Sequence, residues 1–232
     1  MTDLPAKLDG IEAVVFDAYG TLFDVMAPTA RLADQLGPAA TSLGVVWRQK
    51  QLEYSWLRSL MGTYTDFWTV TQDALDFAMS DGGIDDPALR QNLLDLYFTL
   101  DAYPEVGSAL RTVHAAGLAT AILSNGSPDM LGAAVSSAGL GPVVDHTLSV
   151  HPAGIFKPDP RTYQLALDAL DVTGPAAIAF VSANGWDVAG AAGFGFQAVW
   201  LNRFSKTAER LPAGPSAVLR DLILLPDLVV PN

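Results

Sequence analysis

The spacing of apolar residues along this chain changes twice, near residue 25 and again near residue 103. The first segment holds an unbroken apolar run, Ala13 to Phe16, which delivers Asp17 into a turn made by Gly20 and Thr21. A short run of small and β-branched residues closed by a glycine reads as a buried parallel strand. From Val25 to about Ala102, Ala, Leu, Gln and Arg dominate and apolar residues recur at helical spacing. Trp47, Leu52, Tyr54, Trp56, Leu57, Leu60 and Met61 predict one long helix buried over a broad face. Asp66 to Met79 and Pro87 to Leu100 predict two more, separated by the Asp81-Gly82-Gly83 breaker.

From Tyr103 the pattern alternates. Pro104 to Ala116 predicts a helix closed by Gly117, and Leu118 to Leu123 a strand ending at Ser124-Asn125-Gly126. Ser127-Pro128 is an N-cap followed by proline, opening a helix to about Ala138. Asp145 to Val150 predicts a weak strand, and Asp159-Pro160 starts a helix through Leu170. Ala177 to Val181 is a strand running into Ser182-Ala-Asn-Gly-Trp-Asp187, with a short helix opening at Val188. Gln197 to Leu201 is a last strand; the tail from Pro212 reads as loop, with Leu222 to Leu225 too short to assign. Strands alternating with helices imply a parallel sheet with right-handed crossovers. The expected architecture is α/β, a Rossmann-like core of residues 1–23 and 103–232 with a helical cap of residues 24–102 inserted.

Composition narrows the function. Half of the 232 residues are hydrophobic and 16% are charged, enough apolar surface for a substantial core. Thirteen basic against 25 acidic residues leave a net charge of −12, which disfavours nucleic acid or an anionic membrane as partner. There is no cysteine, which removes disulfides and thiolate chemistry and fits a cytoplasmic protein. Met1 to Gly10 hold no long apolar segment, so no signal peptide is read, and no stretch approaches the roughly 20 residues of a membrane span.

Three predicted strands end in polar clusters: Asp17 with Thr21, Ser124 with Asn125, and Ser182 with Asn184 and Asp187. Taken singly, Asp17 could cap a turn, Ser124-Asn125-Gly126 could be a plain turn, and Lys157 could be a solvated surface lysine. Asp187 could be a charge favoured by a helix dipole. Their recurrence at successive strand ends is the stronger observation, because strand ends of an open parallel sheet converge on one crevice.

The ordered set Asp17-Ala-Tyr-Gly-Thr21, Ser124-Asn125-Gly126, Lys157-Pro158 and Ser182-Ala-Asn-Gly-Trp-Asp187 resembles the haloacid dehalogenase superfamily. Within it, the helical insert Trp47-Arg-Gln-Lys-Gln-Leu-Glu-Tyr-Ser-Trp-Leu57 looks like that of the L-2-haloacid dehalogenases. The chain departs from the superfamily's phosphatases. Tyr19 stands where they carry a second aspartate, and Ser182 and Asn184 stand near their magnesium ligands with only Asp187 acidic. Magnesium wants several hard oxygen ligands, so this shell is thin.

The resemblance implies a hydrolase of carbon–halide bonds, with no metal and no cofactor. Asp17 would attack Cα of a short (S)-2-haloacid, with Lys157 keeping it anionic. Arg48 and Asn125 would cradle the departing halide, with Trp186 as an apolar side. A helix-face ion pair with Glu53 is the plainer reading of Arg48, at poor spacing. Ser124 and the amides beside Tyr19 would hold the substrate carboxylate, and Tyr19, Gln49, Leu52, Phe67 and Trp186 would wall its alkyl group. Without the resemblance, Phe67 and Trp186 read as ordinary core. Water would then open an aspartyl ester, oriented by Asn184 and Asp187 with Thr21, Ser182 and Tyr163 supporting. The product would be the (R)-2-hydroxyacid. The residues leave open which group deprotonates that water.

Other readings are a phosphatase or phosphonate hydrolase of the same fold, which Tyr19 and Asn184 oppose, and a non-catalytic binding member. Retention of Asp17, Arg48, Lys157 and Asp187 together weighs against the latter. No G-x-S-x-G elbow occurs, and His114, His146 and His151 fall in no catalytic or metal-binding spacing. The resemblance also implies a homodimer.

Overall fold

The structure, a computed structural model, describes residues 6–231. The first five residues of the expected core, half of the stretch read for a signal peptide, and Asn232 lie outside the described residues.

Six strands form one parallel sheet. They are β1 (Ala13–Phe16), β2 (Ala119–Ser124), β3 (His146–Ser149), β4 (Ile178–Ser182), β5 (Gln197–Leu201) and β6 (Ala217–Leu219). Their spatial order is β3-β2-β1-β4-β5-β6, so the first strand is central and the chain grows outward on both sides of it. Every residue of β1 and β4 is buried, which is why both read as continuous apolar runs rather than alternating ones. Phe16 is level with Ile122 of β2 and Val181 of β4. That register brings the ends of the three strands, at Asp17, Ser124 and Ser182, to one edge of the sheet.

Between β1 and β2 the chain is helical: α1 (Ala27–Arg31), α2 (Ala33–Leu36), α3 (Ala40–Met61), α4 (Phe67–Asp81) and α5 (Pro87–Phe98). The segment leaves and returns at one seam, where Asp24 N donates to Asp101 O at 2.9 Å and Tyr103 N to Leu22 O at 2.9 Å. Side-chain caps start α4 and α5. Asp66 accepts from Thr69 N, and Asp86 accepts from Ala88 N and Leu89 N ahead of Pro87.

The remaining helices are α6 (Val106–Ala115), α7 (Pro128–Ser137), α8 (Pro160–Ala169), α9 (Gly185–Phe194) and α10 (Leu225–Val229). Ser127 and Asp159 cap α7 and α8, each with proline in the first turn. Among the described residues no helix is long and apolar enough to cross a membrane.

Two expectations are corrected. The long helix α3 forms, but its buried stripe is Leu43, Gly44, Trp47, Gln51 and Ser55, while Leu57, Leu60 and Met61 are exposed, Leu60 at 84%. Positions 43, 47, 51 and 55 share one face at i, i+4 spacing. Two of them are polar, so hydrophobicity picked out only Trp47 of this stripe, together with the half-buried Leu52, Tyr54 and Trp56. The tail is also not loop: β6 extends the sheet, and Leu222, Leu225, Leu228 and Val229 are buried. Its elements are only 3 and 5 residues long, below what periodicity can register.

Candidate active site

Asp17 follows directly on β1, and the turn behind it brings Thr21 back onto its carboxylate. Thr21 Oγ1 donates to Asp17 Oδ2 at 2.9 Å and accepts from Ala183 N at 2.9 Å, which stitches the turn to the end of β4. Asn184 Nδ2 donates to the same Oδ2 at 2.8 Å, and Ser182 Oγ donates at 3.4 Å. One carboxylate oxygen therefore takes three donors. The other, Oδ1, receives Lys157 Nζ at 3.4 Å.

Lys157 is 1% exposed, beyond β3 and just ahead of α8. Its ammonium lies 3.0 Å from Asp187 Oδ2 and 4.8 Å from the centre of the Phe180 ring. A lysine this deep is retained only when its charge is paired, and here it bridges two carboxylates. The plain surface reading of Lys157 is thereby excluded.

Asp187 stands in the first turn of α9 and is 0% exposed. Tyr163 Oη donates to its Oδ1 at 2.8 Å. Burial pushes the Asp187 pKa up to about 6; Lys157 pulls it down, Asp17 pushes it up, and the hydrogen bond from Tyr163 lowers it. Tyr163 is wholly buried, and its own phenol is raised by burial and by the Asp187 charge. Its hydroxyl requires Gly190, where a Cβ would lie 2.4 Å away from it.

Arg48 reaches the cluster from α3. Its Nη2 donates to Tyr19 O at 3.2 Å and to Asn184 Oδ1 at 3.5 Å, so the guanidinium spans the helical segment and the sheet edge. Glu53 is not its partner: that carboxylate pairs with Lys50 at 2.9 Å. Asn125 Oδ1 accepts from Lys157 N at 3.0 Å, which leaves its amide N–H groups to donate elsewhere. Ser124 Oγ accepts from Gly126 N at 3.1 Å, which leaves its hydroxyl proton to donate.

Tyr19 stands two residues after Asp17, in the turn that follows β1. Its ring stacks on Tyr97 at 5.7 Å and lies 6.1 Å from Phe67. A Cβ at Gly126 would fall 2.7 Å from the Tyr19 ring, so the glycine admits this ring against the end of β2.

The expected alkyl wall is divided. Gln49 and Leu52 line a cavity of about 390 Å³ with Gly20, Arg48 and Asn184. Trp186 lines a second of about 650 Å³ with Trp56, Phe156 and Lys157. Tyr19 and Phe67 line neither cavity; both are buried, the Phe67 ring 5.9 Å from that of Phe156. Sequence reasoning missed Tyr97, Gln51 and Thr71, which are polar, buried and joined to one another by hydrogen bonds, with the Tyr97 ring stacked on Tyr19. The signal available was Gln51 in helical register with Trp47, one turn away on the same face.

The residues do not fit magnesium. Three hydrogen-bond donors occupy Asp17 Oδ2, and the ammonium of Lys157 already bridges the two carboxylates. Among the described residues no three acidic or histidine side chains come together as a ligand set.

The chain as a whole is similar to known proteins. The chain is 46% identical over 224 residues, 96% of its length and 98% of the relative's, to (S)-2-haloacid dehalogenase 1 of Pseudomonas sp. (strain CBS-3). It superposes with a TM-score of 0.87 on the L-2-haloacid dehalogenase of Xanthobacter autotrophicus with chloropropionic acid covalently bound. That pair is 40% identical, covering 94% of this chain and 98% of the other. The crystal structure of a dehalogenase matches with a TM-score of 0.94 at 43% identity, covering 97% and 100%. The profile of the haloacid dehalogenase-like hydrolases matches residues 11–195. With this profile and relatives of over 40% identity along nearly its whole length, the chain belongs to the haloacid dehalogenase-like hydrolase family.

Proposed function

We propose that this protein hydrolyses short (S)-2-haloacids to (R)-2-hydroxyacids through an ester on Asp17, without a metal. The observation that carries the reading is the asymmetry of the Asp17 carboxylate. Oδ2 is held by Thr21, Ser182 and Asn184, while Oδ1 faces Lys157 alone among the described residues. Oδ1 therefore keeps lone pairs for attack on Cα, in line with the carbon–halogen bond. Similarity to (S)-2-haloacid dehalogenases supports the substrate class.

As the carbon–halogen bond breaks, negative charge gathers on the halide. Arg48 and the free amide donors of Asn125 are the groups suited to receive it, with Trp186 alongside. Ser124 and the backbone amides beside Tyr19 would bind the substrate carboxylate.

The ester formed through Oδ1 has Oδ2 as its carbonyl oxygen. The three donors on Oδ2 then polarise that carbonyl and stabilise the oxyanion when water adds to Cγ. Collapse returns the Asp17 carboxylate and releases the hydroxyacid. Asp187, with its pKa pushed up to about 6, has the basicity a proton acceptor needs near neutral pH.

Residues 24–102 act as a cap over the remaining core, contributing Arg48, Gln49 and Leu52. The exposed Leu57, Leu60 and Met61 supply an apolar patch for a homodimer, which light scattering would detect. A phosphatase of the same fold is the competing activity, disfavoured by the Tyr19 ring and the unsuited magnesium shell. The deciding assay is release of chloride from (S)-2-chloropropionate with a chelator present. Chloride release supports this reading; phosphate release that needs magnesium would replace it.

A further inference from the structure

The cavity of about 390 Å³ that reaches Asn184 is lined by three cations, Arg48, Arg203 and Lys206, and by no aspartate or glutamate among the described residues. In a chain of net charge −12 this is a local reversal of sign. Its inner end lies at the nucleophile, since Asn184 Nδ2 donates to Asp17 Oδ2 at 2.8 Å. Its outer end is the loop after β5, where Phe204 and Lys206 are exposed. Met26, Val45 and Leu52 add apolar wall.

The outer loop is firmly built. Asn202 is buried and clamps Lys206 with both ends of its amide: Oδ1 accepts from Lys206 N at 2.8 Å, and Nδ2 donates to Lys206 O at 2.9 Å. Between them Ser205 stands at φ 51°, alone among the described non-glycine residues in having a positive φ. Arg220 Nη1 donates to its Oγ. A serine stays in that region only where its surroundings fix it, and such positions gather at ligand clamps. Arg203 is anchored by Glu105, by donation to Thr21 O at 3.1 Å, and over the Tyr103 ring at 4.1 Å. Glu105 matches its charge. Lys206 has no carboxylate partner among the salt bridges of the described residues, and neither has Arg48. An uncompensated cation therefore stands at each end of the cavity.

Such a cavity suits a ligand with an anionic group at each end. Gln49 and Leu52, expected to wall the alkyl group of the substrate, line it as well, so a substituent on Cα would run from Asp17 along them towards the loop. Cavities of about 300 to 1,000 Å³ hold drug-sized molecules, so this one has room beyond 2-chloropropionate.

We propose that Lys206, presented by the Asn202 clamp, is a second carboxylate subsite, and that the substrates of this protein include (S)-2-halo dicarboxylic acids such as 2-chlorosuccinate and 2-chloroglutarate. This rests on the dehalogenase reading of Asp17. The distal carboxylate takes no part in bond making or breaking. It adds binding alone, so its effect belongs in KM and not in kcat.

The test compares kcat/KM at low salt for (S)-2-chlorosuccinate against (S)-2-chlorobutyrate, and for (S)-2-chloroglutarate against (S)-2-chlorovalerate, each pair matched in chain length. At least one dicarboxylate should exceed its partner about fivefold, the scale of an exposed ion pair. Lys206→Gln should abolish that advantage through KM, leaving both monocarboxylates within about twofold of the parent. Lys206→Arg should keep it, and about 1 M salt should erode it.

No advantage of either dicarboxylate in the parent protein, or an advantage that Lys206→Gln leaves in place, would overturn the subsite. So would an equal loss for all four acids in Lys206→Gln, which would make the lysine a general attractor of anions. Chloride release from none of these acids, nor from (S)-2-chloropropionate, would remove the dehalogenase reading and the subsite with it.

Discussion

The ammonium of Lys157 lies 3.4 Å from Oδ1 of Asp17, the carboxylate oxygen that no other described donor reaches. The same ammonium is held at 3.0 Å by Asp187, so its position does not depend on Asp17 alone. In the proposed mechanism Asp17 would give up its charge to an ester while Lys157 stays held by Asp187.

Lys157→Met would leave two buried carboxylates without their shared cation. A buried carboxylate stripped of its cation takes up a proton, and a carboxylic acid does not attack carbon. Single-turnover halide release should fall by about 10³-fold or more. Breaking a buried pair from one side should also cost about 3 to 5 kcal/mol in urea unfolding. Release within about tenfold of the parent rate would show that Lys157 is not needed to keep the nucleophile ionised.

The pH dependence should follow Asp187. As a proton acceptor it works only when ionised, and burial places its pKa at about 6. Turnover should therefore fall as pH drops through about 6. Tyr163 donates to Asp187 Oδ1 and so favours the ionised form. Tyr163→Phe removes that donor, raises the Asp187 pKa further, and should move the acid limb to higher pH. An acid limb left in place by Tyr163→Phe would assign the titration to another group.

Chelation should change nothing. The position between Asp17 and Asp187 is held by an ammonium rather than offered to a divalent ion. Full turnover after dialysis against EDTA is expected, and activity lost on dialysis and restored by magnesium would contradict the metal-free mechanism.

One fixed carboxylate attacking in line inverts Cα, and hydrolysis at Cγ of Asp17 leaves that centre alone. Chiral chromatography should find (R)-lactate from (S)-2-chloropropionate and no reaction of the (R)-substrate. Racemic lactate from one enantiomer would exclude a single in-line displacement.

The core of this fold was legible because buried parallel strands leave a continuous apolar trace. The run from Ala13 to Phe16 and the one from Ala177 to Val181 both became strands beside each other. Asp17, Thr21, Ser182, Asn184 and Asp187 were legible for the same reason, since each sits at or just past the end of such a strand. Lys157 was not legible from pattern, because nothing local distinguishes a buried lysine from a solvated one; only the carboxylates facing it do. Gln51 and Ser55 misled the reading of α3, since polar residues whose hydrogen bonds are satisfied inside the fold look like a solvent face. Tyr97 was invisible for a further reason: its partners come from α3 and from the turn after β1, far away in sequence.

The covalent role of Asp17 is the center of the account, and oxygen tracing tests it most directly. With enzyme in excess and one turnover in ¹⁸O-water, the hydroxyl oxygen of the product should come from Asp17 Oδ1 and carry no label. A peptide containing Asp17 should gain one ¹⁸O, because solvent enters only when the ester is hydrolysed at Cγ. A fully labelled product with an unlabelled Asp17 peptide would instead make water the nucleophile and contradict the ester mechanism.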